Sequence, residues 1–364
     1  MASAPTALAM KKLTPEQRDI LGHLSIVQVY QGPGLPMLET LRVEGINVQV
    51  VNGLGATNGS TSMPDSTAPR STATNGVGNV IVGYAEVSPF SGIDERSGSH
   101  NLVGGSGNSH SSFGGSLLGS DNFTSAAYAS IAGGWLGTAS DVYTVVGGGQ
   151  SNGASGNAAW CGGGTMNQAT GTRSSVLGGN QGTASGATAA VLGGAGNQSL
   201  GSSSACSAGI NNSASGTYSS ISGGWGGLAT NFGSSISAGR FNQVTGLYGA
   251  ISGGDSNLVS AGFATISSGL LGQALQRHSS IAAGYTQKAD ARYAFVGGGK
   301  NNSANSSESA ILGGFGNQTN GRSSSLVGGY QGSTTGQWSV LEGGYQRDSP
   351  GNINWVAGGL LQNN

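Results

Sequence analysis

Charge is what this chain has least of. Lysine and arginine together number 14 and aspartate plus glutamate 15, so charged residues make up 8% of 364 and the formal net charge is −1. Without a basic surplus there is no face from which nucleic acid would release counterions, and a conventional globular enzyme is not the default reading. Cysteine is limited to two residues, Cys161 and Cys206, which is too few for a disulfide framework. No run of about 18 apolar residues occurs, so no membrane-spanning helix is expected. Ala2 to Met10 is too short for the apolar core of a secretory signal, and Lys11 and Lys12 follow it instead of preceding it.

Groups that carry chemistry are equally sparse. The histidines, His23, His100, His110 and His278, are scattered, and none stands at metal-ligand spacing with Cys, Asp or Glu. Asp141, Asp255, Asp290, Glu308 and Glu342 fall at different points of the repeat described below, so they form neither a carboxylate pair for glycoside hydrolysis nor a periodic calcium ligand. Glycine-rich strings such as Gly147 to Gly156 recur throughout without a following helix, which sets them apart from phosphate loops. The expectation is a non-enzymatic protein with no catalytic residue, no cofactor and no metal.

What the chain has in abundance is glycine, 70 residues of it. From Ile131 onward one pattern recurs every 15 residues without insertion or deletion, with a consensus near I-S-G-G-x-x-N-Q-A-S-G-x-Y-S-S. The first column is always aliphatic or cysteine: Ile131, Val146, Cys161, Val176, Val191, Cys206, Ile221, Ile236, Ile251, Ile266, Ile281, Val296, Ile311, Leu326, Leu341 and Val356. So short and strict a period predicts an all-β parallel solenoid with 15 residues per coil and this column as its core. Glycine on a period of 15 and not of three excludes collagen, and the fixed aliphatic column argues against disorder.

Other columns suggest how a coil turns. Glycine fills every fourth position, from Gly134 to Gly359, as expected where φ is positive or no Cβ fits. The third column admits only Gly, Ala and Ser (Gly133, Ala208, Ser268), which predicts close passage of backbone from elsewhere in the chain. The seventh is rich in asparagine (Asn152, Asn167, Asn197, Asn212) and glycine, the composition of a left-handed turn residue and hence of a second corner. Alanine dominates the ninth, as at Ala139, Ala154 and Ala169. Cys161 and Cys206, three coils apart at about 4.8 Å per coil, stand too far from each other for a disulfide and are expected to be buried free thiols.

The organisation divides into residues 1–53, a helix and strands acting as a cap or docking element; 54–99, a loop-rich transition with a first coil; and 100–364, the solenoid. Thr14, Pro15 and Gln17 spell a capping box for a helix ending near Gly22. Ser25 to Tyr30 and Leu38 to Val51 alternate as strands do. Residues 54–79, containing Pro64 and Pro69, read as a loop or flexible linker, and Glu86 to His100, interrupted by Pro89, as a surface loop. Ile81 marks an early coil, followed by Leu102 and Leu117.

One aliphatic residue and one alanine per coil return less free energy than ordering 15 residues costs. More burial is needed, and the second and fifteenth columns supply it with Leu177, Leu192, Leu312, Val327, Val145, Trp160, Phe295, Val340 and Trp355 on the outer side of the coil. This face is expected to pack on identical chains. Aromatic residues just after the glycine corner, Trp135, Trp225, Tyr285, Phe315, Tyr330 and Tyr345, form a candidate surface-binding ladder for sugars or a protein receptor. A second set in the thirteenth column, Tyr143, Tyr218, Tyr248, Tyr293 and Trp338, is assigned to packing.

Units such as Ser219 to Gly224 with Ala229 and Thr230, or Ser324 to Gly329, resemble the head repeats of trimeric autotransporter adhesins of the YadA type over about residues 100–364. That resemblance implies a left-handed β-roll, three chains side by side, and an adhesive rod at the cell surface. The family's segments end in one glycine where this chain has two, and neither a coiled-coil stalk nor a membrane β-barrel is recognisable, so anchoring and self-export do not carry over. The expected function is a structural or adhesive fibre about 85 Å long for roughly 18 coils. Its C-terminal coil, open at Trp355, Val356, Leu360, Leu361 and Asn364, is expected to dock end to end into a filament. The alternatives are a glycan-binding tail-fibre segment of a phage or injection device and, less favoured for want of a threonine row, an ice-binding solenoid. No nucleic acid or membrane insertion is expected, and the expected location is extracellular, on a cell surface or on a phage-like particle.

Overall fold

The computed structural model describes residues 14–31, 33, 36–62, 73–90 and 92–357, and the chain divides into two compact units after Val50. The expectations resting on Ala2 to Met10, Lys11, Lys12, Pro64, Pro69, Gly359, Leu360, Leu361 and Asn364 lie outside the described residues.

In the N-terminal unit, helix α1 (Pro15–Gly22) starts at the capping box read from the sequence. The Gln17 amide donates to Thr14 Oγ1 at 3.2 Å while Gln17 Oε1 accepts from the Thr14 amide at 2.9 Å. Strands β1 (Leu24–Val29) and β2 (Leu38–Val43) then pair antiparallel, with Leu24 opposite Val43 and Ile26 opposite Leu41. The alternating run expected to continue to Val51 stops as a strand at Val43. The reason is the length of its partner: β1 begins at Leu24, straight after the helix and His23, so no strand lies opposite Gly45 onward.

The second unit is a parallel β-solenoid of about 17 coils. One ladder runs from Val80–Val82 through Leu102–Ser106 and Ser116–Ser120 to Trp355–Val356, placing Ile81, Val103, Leu117, Ile131 and every later first-column residue directly over one another. A second ladder runs from Ser109–His110 to Asp348–Ser349 and stacks the ninth column. Between them, single bridges stack the fifth column from Ser120 to Tyr345. Strand amides of one coil bond to carbonyls of the next, as Trp160 N to Ser174 O at 3.0 Å and Gly162 N to Val176 O at 2.7 Å. A period of 15 is therefore enforced by hydrogen-bond register as well as by packing.

First-column side chains from Ile131 to Leu341 are buried and Val356 is partly so. With the alanines of the ninth column and the small residues of the fourteenth they form one continuous apolar core. Alternation within each two-residue strand turns one side chain in and leaves its neighbour out, which is why a strand as short as Trp160–Cys161 suffices. Cys161 and Cys206 are buried free thiols, and burial pushes both up to about 11. Neither is expected to react with a soluble thiol reagent at pH 8 in the folded protein. Two equivalents released only on adding denaturant would confirm this, and rapid native labelling would contradict the interior placement.

The fourth-column glycines do form a corner. Gly209 has φ +96, and a Cβ there would run into the carbonyl oxygen of Gly224 in the next coil. Two other readings of the repeat are corrected. The seventh-column asparagines are not left-handed turn residues; the positive φ falls one place earlier, at Leu136 (56°), Met166 (54°) and Phe241 (52°), and again in the thirteenth column, at Tyr143 (62°) and Tyr248 (52°). Nor does backbone press on the third column: a Cβ added at Gly133, Gly163, Gly178, Gly193 or Gly223 meets nothing within 4 Å.

The transition segment is tied down more than its composition suggests. Asn58 is buried, His100 Nδ1 lies 3.0 Å from Thr57 O, and Asn75 Nδ2 donates to Asn52 O at 2.9 Å. In the stretch from Glu86 to His100, Ser88 and Ser99 are buried and Glu95 O accepts from His110 N at 2.6 Å.

Candidate functional site

Three features of the solenoid separate from the repeating framework: a buried asparagine ladder, exposed aromatic ladders, and one charge-poor face.

The asparagine ladder occupies the seventh column. Asn167 Nδ2 donates to Gly163 O at 2.7 Å in its own coil and to Gly179 O at 3.0 Å in the next, while its Oδ1 accepts from Gly182 N at 2.8 Å. Asn152, Asn197, Asn212, Asn242, Asn257, Asn302 and Asn317 are buried and bridge the same pair of carbonyls. Each amide thus satisfies the third-column carbonyl of its own coil, which no ladder amide reaches, and adds a second donor to the next coil's fourth-column carbonyl, as Gly179 O, which already accepts from Thr165 N at 3.0 Å. Glycines replace asparagine at Gly137, Gly182, Gly227, Gly272 and Gly332, always in the coil after an asparagine, whose Oδ1 takes the glycine N–H. One sequence signal pointed to this role: the column contains no aspartate, although aspartate suits a turn as well as asparagine does. A carboxylate has no N–H to give the two carbonyls.

In the first coils the ninth-column position is His110, which is buried. Burial, and then the nearby Arg96 charge, lower its pKa from the ordinary 6.5, against the smaller upward pull of Glu95. The folded form therefore keeps this imidazole neutral. Its contribution is fully present above the unfolded value and is lost as pH falls from there through the depressed folded value. Amides near His110 are expected to lose hydrogen-exchange protection before those of the central coils as pH drops below about 6.5, and His110→Asn is expected to remove the difference.

The fifth-column residues do not form one continuous aromatic row. Trp135 stands alone among the later coils, its Nε1 donating to Asp121 Oδ2 at 3.0 Å and its ring meeting Phe90 edge-on at 5.5 Å. Burial works upward on Asp121, but hydrogen bonds from Ser88, Ser120 and Trp135 outweigh it and lower the carboxyl. Trp225 leans on Phe241 at 5.0 Å, and the next two coils place Arg240 against Asp255, whose carboxyl that hydrogen bond lowers. Only Tyr285, Phe315, Tyr330 and Tyr345 belong to one run, with Lys300 Nζ between the first two at 5.3 and 5.7 Å from their rings. Phe315, Tyr330 and Tyr345 stack at 5.0 and 5.1 Å with planes 8° and 6° apart.

The thirteenth column makes a second stack, Tyr248, Phe263, His278 and Tyr293, at 5.4, 5.2 and 4.9 Å. Arg277 lies over Phe263 and Arg292 over Tyr293. Tyr143, Tyr218 and Trp338 share this column and, like Tyr248, Phe263 and Tyr293, are exposed, so the column packs along the surface and not in the core. In both stacks the rings cover one another's faces and turn their edges to solvent, because coils repeat at the stacking distance. Sugar rings bind to open aromatic faces, and these stacks offer them only at their ends.

The third feature is a near absence of charge. The fifteenth, second and third columns together form one exposed side of every coil. From Ser130 to Val356 they carry a single charged side chain, Glu342, while Arg173, Arg240, Asp255, Arg277, Lys288, Arg292, Lys300, Glu308 and Arg322 all fall in other columns. The same side exposes Val145, Trp160, Leu177, Leu192, Phe295, Leu312, Val327 and Trp355. Val340 belongs to it and is half-buried.

No protein-family model matches this chain, and a search of curated proteins finds no match either. Among the described residues no helix is long and apolar enough to cross a membrane.

Proposed function

We propose that this protein is a non-enzymatic structural element, a rigid β-solenoid rod that associates side by side with identical copies through its charge-poor face, where Glu342 is the single charge. The observation that carries the reading is the confinement of charge to the other sides of the coil. Depletion of charge together with exposed Trp, Leu, Phe and Val is the composition of an interface core. The third column adds to it: its residues are small although nothing in the same chain crowds them, so the close approach they allow is by a neighbouring copy. A face about 80 Å long and 10–12 Å wide gives some 800–1,000 Å² per chain, the area of a stable interface.

The resemblance to YadA-type head repeats supports three copies, with their coils running in the same direction, and an extracellular or particle-borne rod. An adhesive role would use the opposite, charged and aromatic sides. The glycan-binding reading is the weaker one, since the closed stacks at Phe315 to Tyr345 and Tyr248 to Tyr293 present ring edges. Native mass on dilution tests the proposal: a multiple of the 35.7 kDa chain at micromolar concentration is expected, and a single-chain mass would overturn it.

A further inference from the structure

Residues Ile46–Val51 join β2 to the solenoid. From Asn47 to Asn52 the backbone runs without a turn or bend. Ile46, Val48 and Val50 alternate with Asn47 and Gln49, and Val48 is 70% exposed. Within the described residues none of the six makes a hydrogen bond through backbone or side chain. Strand alternation without hydrogen bonds to the described residues is the condition under which a segment pairs with another chain, and only its last residue, Val51, lies against other backbone, at Gly78.

We infer that Ile46–Val51 pairs with the same segment of a neighbouring copy, forming a parallel inter-chain ladder at the N-terminal end of the rod. The inference rests on the side-by-side association proposed above. Its first support is position. Asn52, the next residue, is fixed to the first coils by its amide to His100 Nε2 at 3.2 Å and its carbonyl to Asn75 Nδ2 at 2.9 Å. Six residues reach about 20 Å at most from that anchor, so copies aligned with their coils in register tether these segments within reach of each other. The second support is chemistry. No charge occurs from Gly45 to Pro64, so identical segments do not repel, and a foreign partner would find no charged handle. In parallel register Val48 meets Val48, and the amides of Asn47 and Gln49 meet their own copies, an arrangement that identical strands satisfy by side-chain amide ladders.

Hydrogen exchange on the full chain reads this directly. The Asn47–Val51 amides are expected to exchange about 100-fold or more slower than an unpaired amide. Val48→Cys should give disulfide-linked chain pairs on mild oxidation, because paired strands bring the two Cα atoms to about 4.8 Å, inside disulfide range. Tyr84→Cys, at a residue 94% exposed, should not; Cys161 and Cys206 are buried and do not contribute. Free exchange in a particle whose mass is several chains would overturn the ladder while leaving the association intact. Slow exchange without Val48→Cys linkage would also overturn it, since the chain's own residues would then cover the segment. A single-chain mass would remove the association reading and this inference with it.

Discussion

Asn212→Ala is expected to destabilise the solenoid by about 3–5 kcal/mol, although it leaves the apolar core intact. Asn212 Nδ2 donates to Ala208 O at 3.0 Å and Gly224 O at 3.1 Å, and Oδ1 accepts from Gly227 N at 2.8 Å. Alanine leaves the Ala208 carbonyl and the Gly227 N–H without partners in a site closed to water, each costing about 1–3 kcal/mol before relaxation, while the Gly224 carbonyl keeps the Ile210 amide as its other donor. Asn212→Asp discriminates the mechanism. It keeps the acceptor and the size but sets a carboxylate against two carbonyl oxygens, so it should lose as much as alanine does. If Asn212 were only a turn residue, aspartate would be nearly neutral. Because coils contact only their neighbours, the loss is local, and hydrogen exchange should show it first between residues 197 and 227. A shift in denaturation free energy of less than about 0.5 kcal/mol, the range of ordinary surface exchanges, would contradict the ladder's role.

The second large effect concerns assembly and not the coil. Leu177→Arg with Leu192→Arg places two charges in adjacent coils at the second-column position, where the parent side chains are 45% and 46% exposed. In an isolated chain both guanidinium groups reach water and the fold should hold within about 0.5 kcal/mol. On a face covered by another copy each is a buried, unpaired charge, which costs several kcal/mol. The variant is expected to sediment as a single chain with an unchanged circular dichroism spectrum. Retention of the parent mass would mean that these leucines face solvent in the assembly, and the interface would then have to lie elsewhere.

Much of the fold was legible because the repeat averages out local ambiguity. A lone Ile-Ser-Gly-Gly says little, but the same aliphatic position in coil after coil fixes the interior, and glycine at every fourth position fixes a corner. The capping box at Thr14 and Gln17 was equally plain, since it depends on residues three apart. The asparagine column misled because asparagine favours both a left-handed turn and a buried amide bridge, and only the absence of aspartate from the column distinguished the two in the sequence. The actual left-handed positions left no trace in composition: ladder hydrogen bonds hold Leu136, Met166 and Phe241 there against their intrinsic preference, which costs of order 1 kcal/mol each. The aromatic column was visible as a list, but not that its rings close on one another, because stacking follows from the distance between coils.

The sequence by itself determined the period, the inward column, the buried thiols and the columns that carry apolar side chains on the outer side of the coil, all of which depend on residue identity at fixed spacing. Tertiary structure alone decided what the inward asparagines hold, where the backbone turns left-handed, where β2 stops, and that the small third column has open space beside it. Each of those is set by atoms of the next coil or of a partner strand, and their distance in space cannot be read from distance along the chain.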